Sequence, residues 1–186
     1  MPLYFWGDED GSRLHDSYFD TYPGIWRHGD WIEINDRGGS VIYGRSDATI
    51  NRKGLRMGSA EIYQAVEGLD EVMDSLVVDL EFLGRESFMP LFVVPAAGVA
   101  FDDALKDKIN AAIRAGVSAR FIPNEIVQIA EVPRTLSGKK LEVPVKKLLL
   151  GGDPDKVVNR DSMANPDSFD QFIAYSAARS KKDDLT

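Results

Sequence analysis

The chain has 186 residues, 44% hydrophobic and 28% charged, with no cysteine, two histidines and a net charge of −8. That length suits one ordinary domain with room for an appendage; the missing cysteines exclude disulfides and thiolate metal sites, and the acidic balance excludes nucleic acid as the general partner, since a phosphate backbone demands a basic face. No apolar run reaches the ~20 residues of a membrane span and no signal pattern opens the chain, so a cytoplasmic protein without a membrane partner is expected.

Residues 1–34 do not read like the start of a domain. Leu3-Tyr4-Phe5-Trp6 breaks into the turn cluster Gly7–Ser12. Asp8 and Asp10 fall short of a calcium loop, because Gly11 comes too early and the closing acid is missing. With only His15 and His28 as imidazoles, no metal site is expected. Tyr18, Phe19, Tyr22, Trp26 and Trp31 crowd into fourteen residues, a density that implies packing against a larger body or self-association through residues 1–30.

His28–Ile34 and Gly39–Gly44 read as the two strands of a hairpin around Asn35-Asp36-Arg37-Gly38. Ser59 is the expected N-cap of a helix with Ile62, Val66 and Leu69 on one stripe. Residues 72–83 and 88–95 read as strands around Gly84-Arg85-Glu86. Phe101-Asp102 opens a helix carrying Leu105, Ile109, Ala112 and Ile113 on one side, and a third strand follows over 125–130. A short helix after Lys139 tolerates Pro144 in its first turn, and Gly151-Gly152-Asp153-Pro154 stops it. Asn165-Pro166-Asp167 starts a last helix, and the polar tail from Arg179 is expected to fray. The predicted class is α+β: a small antiparallel sheet of about three strands flanked by helices and preceded by a two-stranded hairpin.

Two stretches carry the chemistry. Residues 44–61 place Arg45, Arg52, Lys53 and Arg56 among three glycines, with Asp47 the only acid between Arg45 and Arg56. That pattern fits a loop facing an anion such as phosphate. Residues 133–148 hold Arg134, Lys139, Lys140, Lys146 and Lys147 against Glu142 alone, a local basic patch on an acidic chain. Such a patch suits a small polyanion better than a polymer. A P-loop ending in Ser137-Gly138-Lys139 is ruled out, because Pro133 and Lys140 stand where glycine and Ser or Thr are required.

Together the two stretches resemble the carboxyl-terminal domain of the adenylate-forming acyl-CoA synthetases, the AMP-binding enzyme superfamily, in which both motifs recur in this order. The resemblance implies a mobile domain of a ligase that uses ATP, with Mg2+ on the nucleotide, and CoA. It implies Lys139 as the catalytic cation of adenylation, Asp47 as the hinge, and Asp30, Arg45 and Arg56 as ATP or AMP ligands. It assigns Gly54, Lys53, Arg114 and Arg120 to CoA, Gly54 because a side chain there would obstruct the pantetheine. Within the family, Val117–Pro123, Ser137–Lys146 and Asn165-Pro166-Asp167-Ser168-Phe169 are similar to acetoacetyl-CoA synthetases. The implied reaction joins acetoacetate and CoA through an acyl-adenylate, releasing AMP and diphosphate. The same domain of an acetyl- or propionyl-CoA synthetase is one alternative; a non-catalytic module binding nucleotide, CoA or protein is another.

The resemblance further divides the chain into 1–46, the end of a large amino-terminal domain; 47–150, the carboxyl-terminal domain; and 151–186, an extension. The large domain with its acyl pocket lies outside the 186 residues, so the chain alone is expected to be inactive.

Overall fold

A computed structural model describes residues 2–46, 49–52, 54–82 and 85–183, apart from the side chains of 43–45, 85 and 180–183. The chain forms two compact units, residues 1–46 and 47–186.

In the first unit, helix α1 (Ser12–Tyr18) is held at its start by Asp8, whose carboxylate accepts from the amides of Arg13 (2.9 Å) and Leu14 (3.0 Å). Tyr18 packs between Phe5 and Trp26, with ring centroids 6.1 and 6.3 Å away. Strands β1 (Asp30–Ile34) and β2 (Ser40–Arg45) pair antiparallel with an irregularity at Trp31/Ile32. Asn35 shapes their turn by accepting from the amides of Arg37 and Gly39. Among the described residues of this unit only Gly29 is buried. Its described residues therefore have hydrogen-bonded local structure but form no apolar core of their own.

The second unit opens with a small hairpin, β3 (Ile50–Arg52) and β4 (Leu55–Met57), followed by α2 (Ser59–Val66). The expected strand over 72–83 is divided in two, that over 88–95 is a single strand from Pro90, and Arg85–Phe88, in part expected as turn, is a strand of its own. β5 (Val72–Val77) pairs with β8 (Pro90–Pro95), while β6 (Leu80–Phe82) pairs with β7 (Arg85–Phe88) as a separate ribbon. Helix α3 (Asp103–Gly116) then leads to β9 (Glu125–Gln128), which pairs with β8 in parallel. The three-stranded sheet, ordered β5-β8-β9, is thus mixed where an antiparallel one was expected. The cause is the connection: antiparallel neighbours can share a tight turn, whereas a return through a helix delivers the next strand in the same direction.

β8 sits at the centre and alternates between two cores, as a strand's period of two dictates. Leu91 and Val93 pack with Ile62 and Val66 of α2 and Leu105, Ile109 and Ile113 of α3. Phe92 and Val94 pack on the other side with α4 (Glu142–Leu149) and with Phe169 and Phe172. After the short helix α5 (Pro154–Val157), Phe169 closes a 3₁₀ turn that leads into α6 (Asp170–Asp183). Of the stripes read from the sequence, Ile62 and Val66 on α2 and Leu105, Ile109 and Ile113 on α3 are buried.

The cap expected at Ser59 is not formed, and Asn165, at the N-cap position of its turn, makes no side-chain cap bond. Gly58 caps α2, while Ser59 is already helical and donates its hydroxyl to Glu142 of α4 (2.7 Å). The Asn165 side chain does not cap its turn; it donates to Glu131 and the Val132 carbonyl and accepts from the Arg134 amide. In both cases a long-range partner outcompetes the local one. Among the described residues no helix is long and apolar enough to cross a membrane.

Candidate functional site

Residues Arg134–Lys140 form a tight hairpin. The Thr135 amide donates to the Lys139 carbonyl (2.9 Å), the Gly138 amide to the Thr135 carbonyl (2.8 Å), and the Lys139 amide to Thr135 Oγ1 (3.0 Å). Gly138 takes φ +84°, a conformation in which a side chain would be strained, which explains glycine at that corner. Lys139 beside it is exposed, and among the described residues its ammonium makes no ion pair.

The two ends of the hairpin behave differently. Lys140 is only 14% exposed; its ammonium contacts Glu67, Asp74 (3.0 Å) and the Ser75 carbonyl (2.7 Å), and stands 3.7 Å from the centroid of the Tyr63 ring. Arg134 donates to Asp74 (2.6 Å) and to the Gly138 carbonyl (2.8 Å). Burial pushes the Asp74 carboxyl up, but Arg134 and Lys140 together outweigh it and hold the group below the ordinary value of 3.8. Tyr63 also donates to Glu142 (2.5 Å), which accepts from Ser59 on the same oxygen. Burial first, and then the Glu142 charge, raise the Tyr63 phenol well above its usual 10.0. The local basic patch is therefore less open than its composition implies: Arg134 and Lys140 are consumed by carboxylates.

The β3–β4 hairpin borders a cleft of about 420 Å3 lined by Asn51, Arg52, Gly54, Glu81, Phe82 and Ser87. Gly54 turns the hairpin at φ +81°, and a Cβ added there would meet nothing within 4 Å. Arg52 is bound by neutral acceptors. Its guanidinium donates to Asn124 (2.7 Å) and the Ser87 carbonyl (3.2 Å), stapling the hairpin to the sheet unit. Beneath the hairpin, Asp79 is buried and accepts from the Asn51 amide (2.8 Å). Asp79 Oδ1 and Asn51 Oδ1 are enclosed without hydrogen-bond partners among the described residues, and burial raises the Asp79 carboxyl.

The remaining candidates lie on separate elements. Asp30 starts β1, 2.7 Å from His28 Nδ1, and is the cross-strand partner of Arg45, which ends β2. These two are brought together; the Arg45 side chain lies outside the described residues. Arg56 is exposed on β4, Arg114 in the last turn of α3, and Arg120 in the 3₁₀ turn Ala119–Phe121. Lys53 and Asp47 lie outside the described residues. Sequence reasoning missed Glu67, Asp74, Tyr63 and the anchoring role of Lys140. Their partners stand 60 to 79 positions apart, beyond any local pattern.

No family model matches the chain. It is 45% identical over 173 residues to the acetoacetyl-CoA synthetase of Danio rerio, which covers 92% of this chain and 25% of that protein. It is 41% identical over 180 residues to the acetoacetyl-coenzyme A synthetase of Rhizobium meliloti (strain 1021), covering 97% of this chain and 27% of the relative. The solved acetoacetyl-CoA synthetase from Streptomyces lividans superposes with a TM-score of 0.84 at 51% identity, over 96% of this chain and 27% of that one. The amide bond synthetase McbA from Marinactinospora thermotolerans shares the fold at 19% identity, with a TM-score of 0.57 over 78% of this chain and 28% of its own. The chain spans about a quarter of the length of the curated relatives it matches.

Proposed function

The chain belongs with the acetoacetyl-CoA synthetases, whose carboxyl-terminal quarter it matches, and we propose that it supplies the lysine-bearing mobile domain of an ATP-dependent acid–thiol ligase. The reaction is acetoacetate, ATP and CoA going to acetoacetyl-CoA, AMP and diphosphate through an acyl-adenylate. The observation that carries this reading is the hairpin that leaves Lys139 exposed while its neighbours Arg134 and Lys140 are paired.

Attack of a carboxylate on the α-phosphate draws charge off the carboxylate and gathers it on the non-bridging phosphoryl oxygens and the departing diphosphate. A projecting ammonium stabilises that charge where it develops, and loss of one such donor costs on the order of 10²–10³ in rate. Asp30 and Arg45, adjacent across β1 and β2, suit the ribose hydroxyls and the phosphate, and Arg56 supplies a second cation for the phosphates. Mg2+ travels with the nucleotide. Gly54, at an open corner beside the cleft, suits the pantetheine of CoA, with Lys53, Arg114 and Arg120 as cations for its phosphates. Asp47, the first residue of the second unit, is the pivot between adenylating and thioester-forming poses. The acyl pocket belongs to the remaining three quarters of such an enzyme, so the 186 residues alone do not turn over ATP and acetoacetate.

The test is a chimera in which this chain replaces the matching quarter of the Streptomyces lividans synthetase. Formation of acetoacetyl-CoA, lost at the adenylation step with Lys139→Ala but retained from supplied acetoacetyl-adenylate, is the expected result. A folded chimera without ligase activity, or equal loss of both half-reactions on Lys139→Ala, overturns the reading.

A further inference from the structure

Lys139 and Lys140 are adjacent and chemically alike, yet the fold treats them in opposite ways. Lys140 is surrounded by groups that satisfy a cation from several sides: the Glu67 and Asp74 carboxylates, the Ser75 carbonyl and the face of Tyr63. Tyr63 stands on α2, Glu67 caps its C-terminal end, and Asp74 and Ser75 stand on β5, two elements that share a core. The Asp74 carboxylate divides its two oxygens, Oδ2 going to Arg134 and Oδ1 to Lys140. Arg134 and Lys140 are the bridged residues at the two ends of the hairpin. One carboxylate thereby ties both ends, and the corner at Gly138-Lys139 is what remains outside the tie. Asp74 is aimed by an irregularity in β5, where the register against β8 shifts between Val72 and Asp74.

We propose that Asp74 is a positioning residue for adenylation, clamping Arg134 and Lys140 so that the hairpin presents Lys139 and no other lysine to the reacting phosphate. Lys140, with Glu67 and Tyr63, completes the clamp. The inference rests on the reading of Lys139 given above, but its geometry does not. The Arg134–Leu136 arm is also bonded to residues 162–165, through the Leu136 amide on the Ser162 carbonyl and the Ala164 amide on the Arg134 carbonyl, so Asp74 is what fixes the Lys139–Lys140 arm against that anchored one. A displacement of about 1 Å at a reacting centre costs on the order of 10²-fold. The Asp74 carboxylate is held ionised by its two cations, so the clamp is closed at neutral pH.

In the chimera, Asp74→Asn is expected to lower kcat of adenylation by about tenfold to a hundredfold with little change in KM for ATP. Thioester formation from supplied acetoacetyl-adenylate stays near the parent rate. Lys140→Arg, which keeps a cation between the carboxylates, recovers most of what Lys140→Ala loses. A role confined to stability predicts instead that Asp74→Asn slows both half-reactions alike, and that result overturns the proposal. A second measurement uses the 186-residue chain without any partner: reductive methylation followed residue by residue. Lys139 should react fast and Lys140 slowly, and Asp74→Asn should remove the difference. Equal reactivity of the two lysines in the unmodified sequence overturns the clamp whatever the activities. If Lys139→Ala spares adenylation while Lys140 remains protected, it is the functional reading that fails and the clamp that stands.

Discussion

Asp74 and Asp79 stand five positions apart, and their surroundings shift the two carboxyls in opposite directions. Two cations hold the Asp74 carboxyl below 3.8, so its contribution to stability is present above the ordinary aspartate range and is lost as pH falls through the lower folded value. Burial raises Asp79 above 3.8, so its contribution is present below the ordinary range and is lost as pH rises through the higher folded value. One Asp79 oxygen is enclosed without a hydrogen-bond partner among the described residues, as is Asn51 Oδ1. Asparagine retains an acceptor for the Asn51 amide and removes the buried charge. Asp79→Asn is therefore expected to stabilise the second unit by about 1 kcal/mol at pH 7, with the gain shrinking toward pH 4. Urea unfolding at the two pH values checks this; a loss of stability at pH 7 would refute it.

At the scale of elements, β8 separates the two cores, and neighbouring residues on it report different helices. Phe92 lies 4.7 Å from Phe172 and 5.1 Å from Tyr175 between ring centroids, both on α6. Leu91 packs in the core of α2 and α3. Phe92→Ala is expected to cost about 3–5 kcal/mol, as a fully buried aromatic does. Hydrogen exchange under native conditions should rise more in α6 than in α3. An equal rise in both helices would mean that the two cores unfold as one. The hairpin β3–β4 presents the complementary case, because its tip has room but not conformational freedom. Gly54→Ala meets no atom within 4 Å, so the expected cost of about 1 kcal/mol is entirely the strain of φ +81°. Denaturant midpoints at unchanged m-value would show it.

Across the whole molecule the two units are unequal. The second encloses both apolar cores; the first, among its described residues, buries only Gly29. Trp6, Tyr22, Trp26, Trp31, Ile32 and Ile34 are exposed within it. Amides of residues 1–46 are expected to exchange far faster than those of β8, since opening them uncovers little apolar surface. Protection equal to that of β8 in a monomer would contradict this. Slowing that depends on concentration would instead reveal self-association through residues 1–30. At the junction of the units, Asp47→Pro fixes φ near −65° and restricts Ser46 as well. In the chimera it is expected to retain one half-reaction and severely slow the other, whereas Asp47→Ala does much less. Equal effects of Asp47→Pro on both half-reactions would remove Asp47 as the hinge.

The sequence by itself determined the α+β class and the buried stripes at Ile62/Val66 and Leu105/Ile109/Ile113, and it held the glycines that the corners at 54 and 138 require. Each is written in residues a few positions apart, where helical or strand periodicity and positive-φ demand act directly. It also held the two cationic motifs that resemble the acyl-CoA synthetases. Only the tertiary structure decided which cations remain open. Arg52 turns to Asn124, Arg134 to Asp74 and Lys140 to Glu67, each across 60 to 73 positions. Only the tertiary structure ran β9 parallel to β8 and gave the Ser59 hydroxyl to Glu142 rather than to its own helix. The strand direction followed from the helical crossover; for the side chains, a charge or hydroxyl takes the partner that folding brings nearest, and sequence spacing carries no record of that distance.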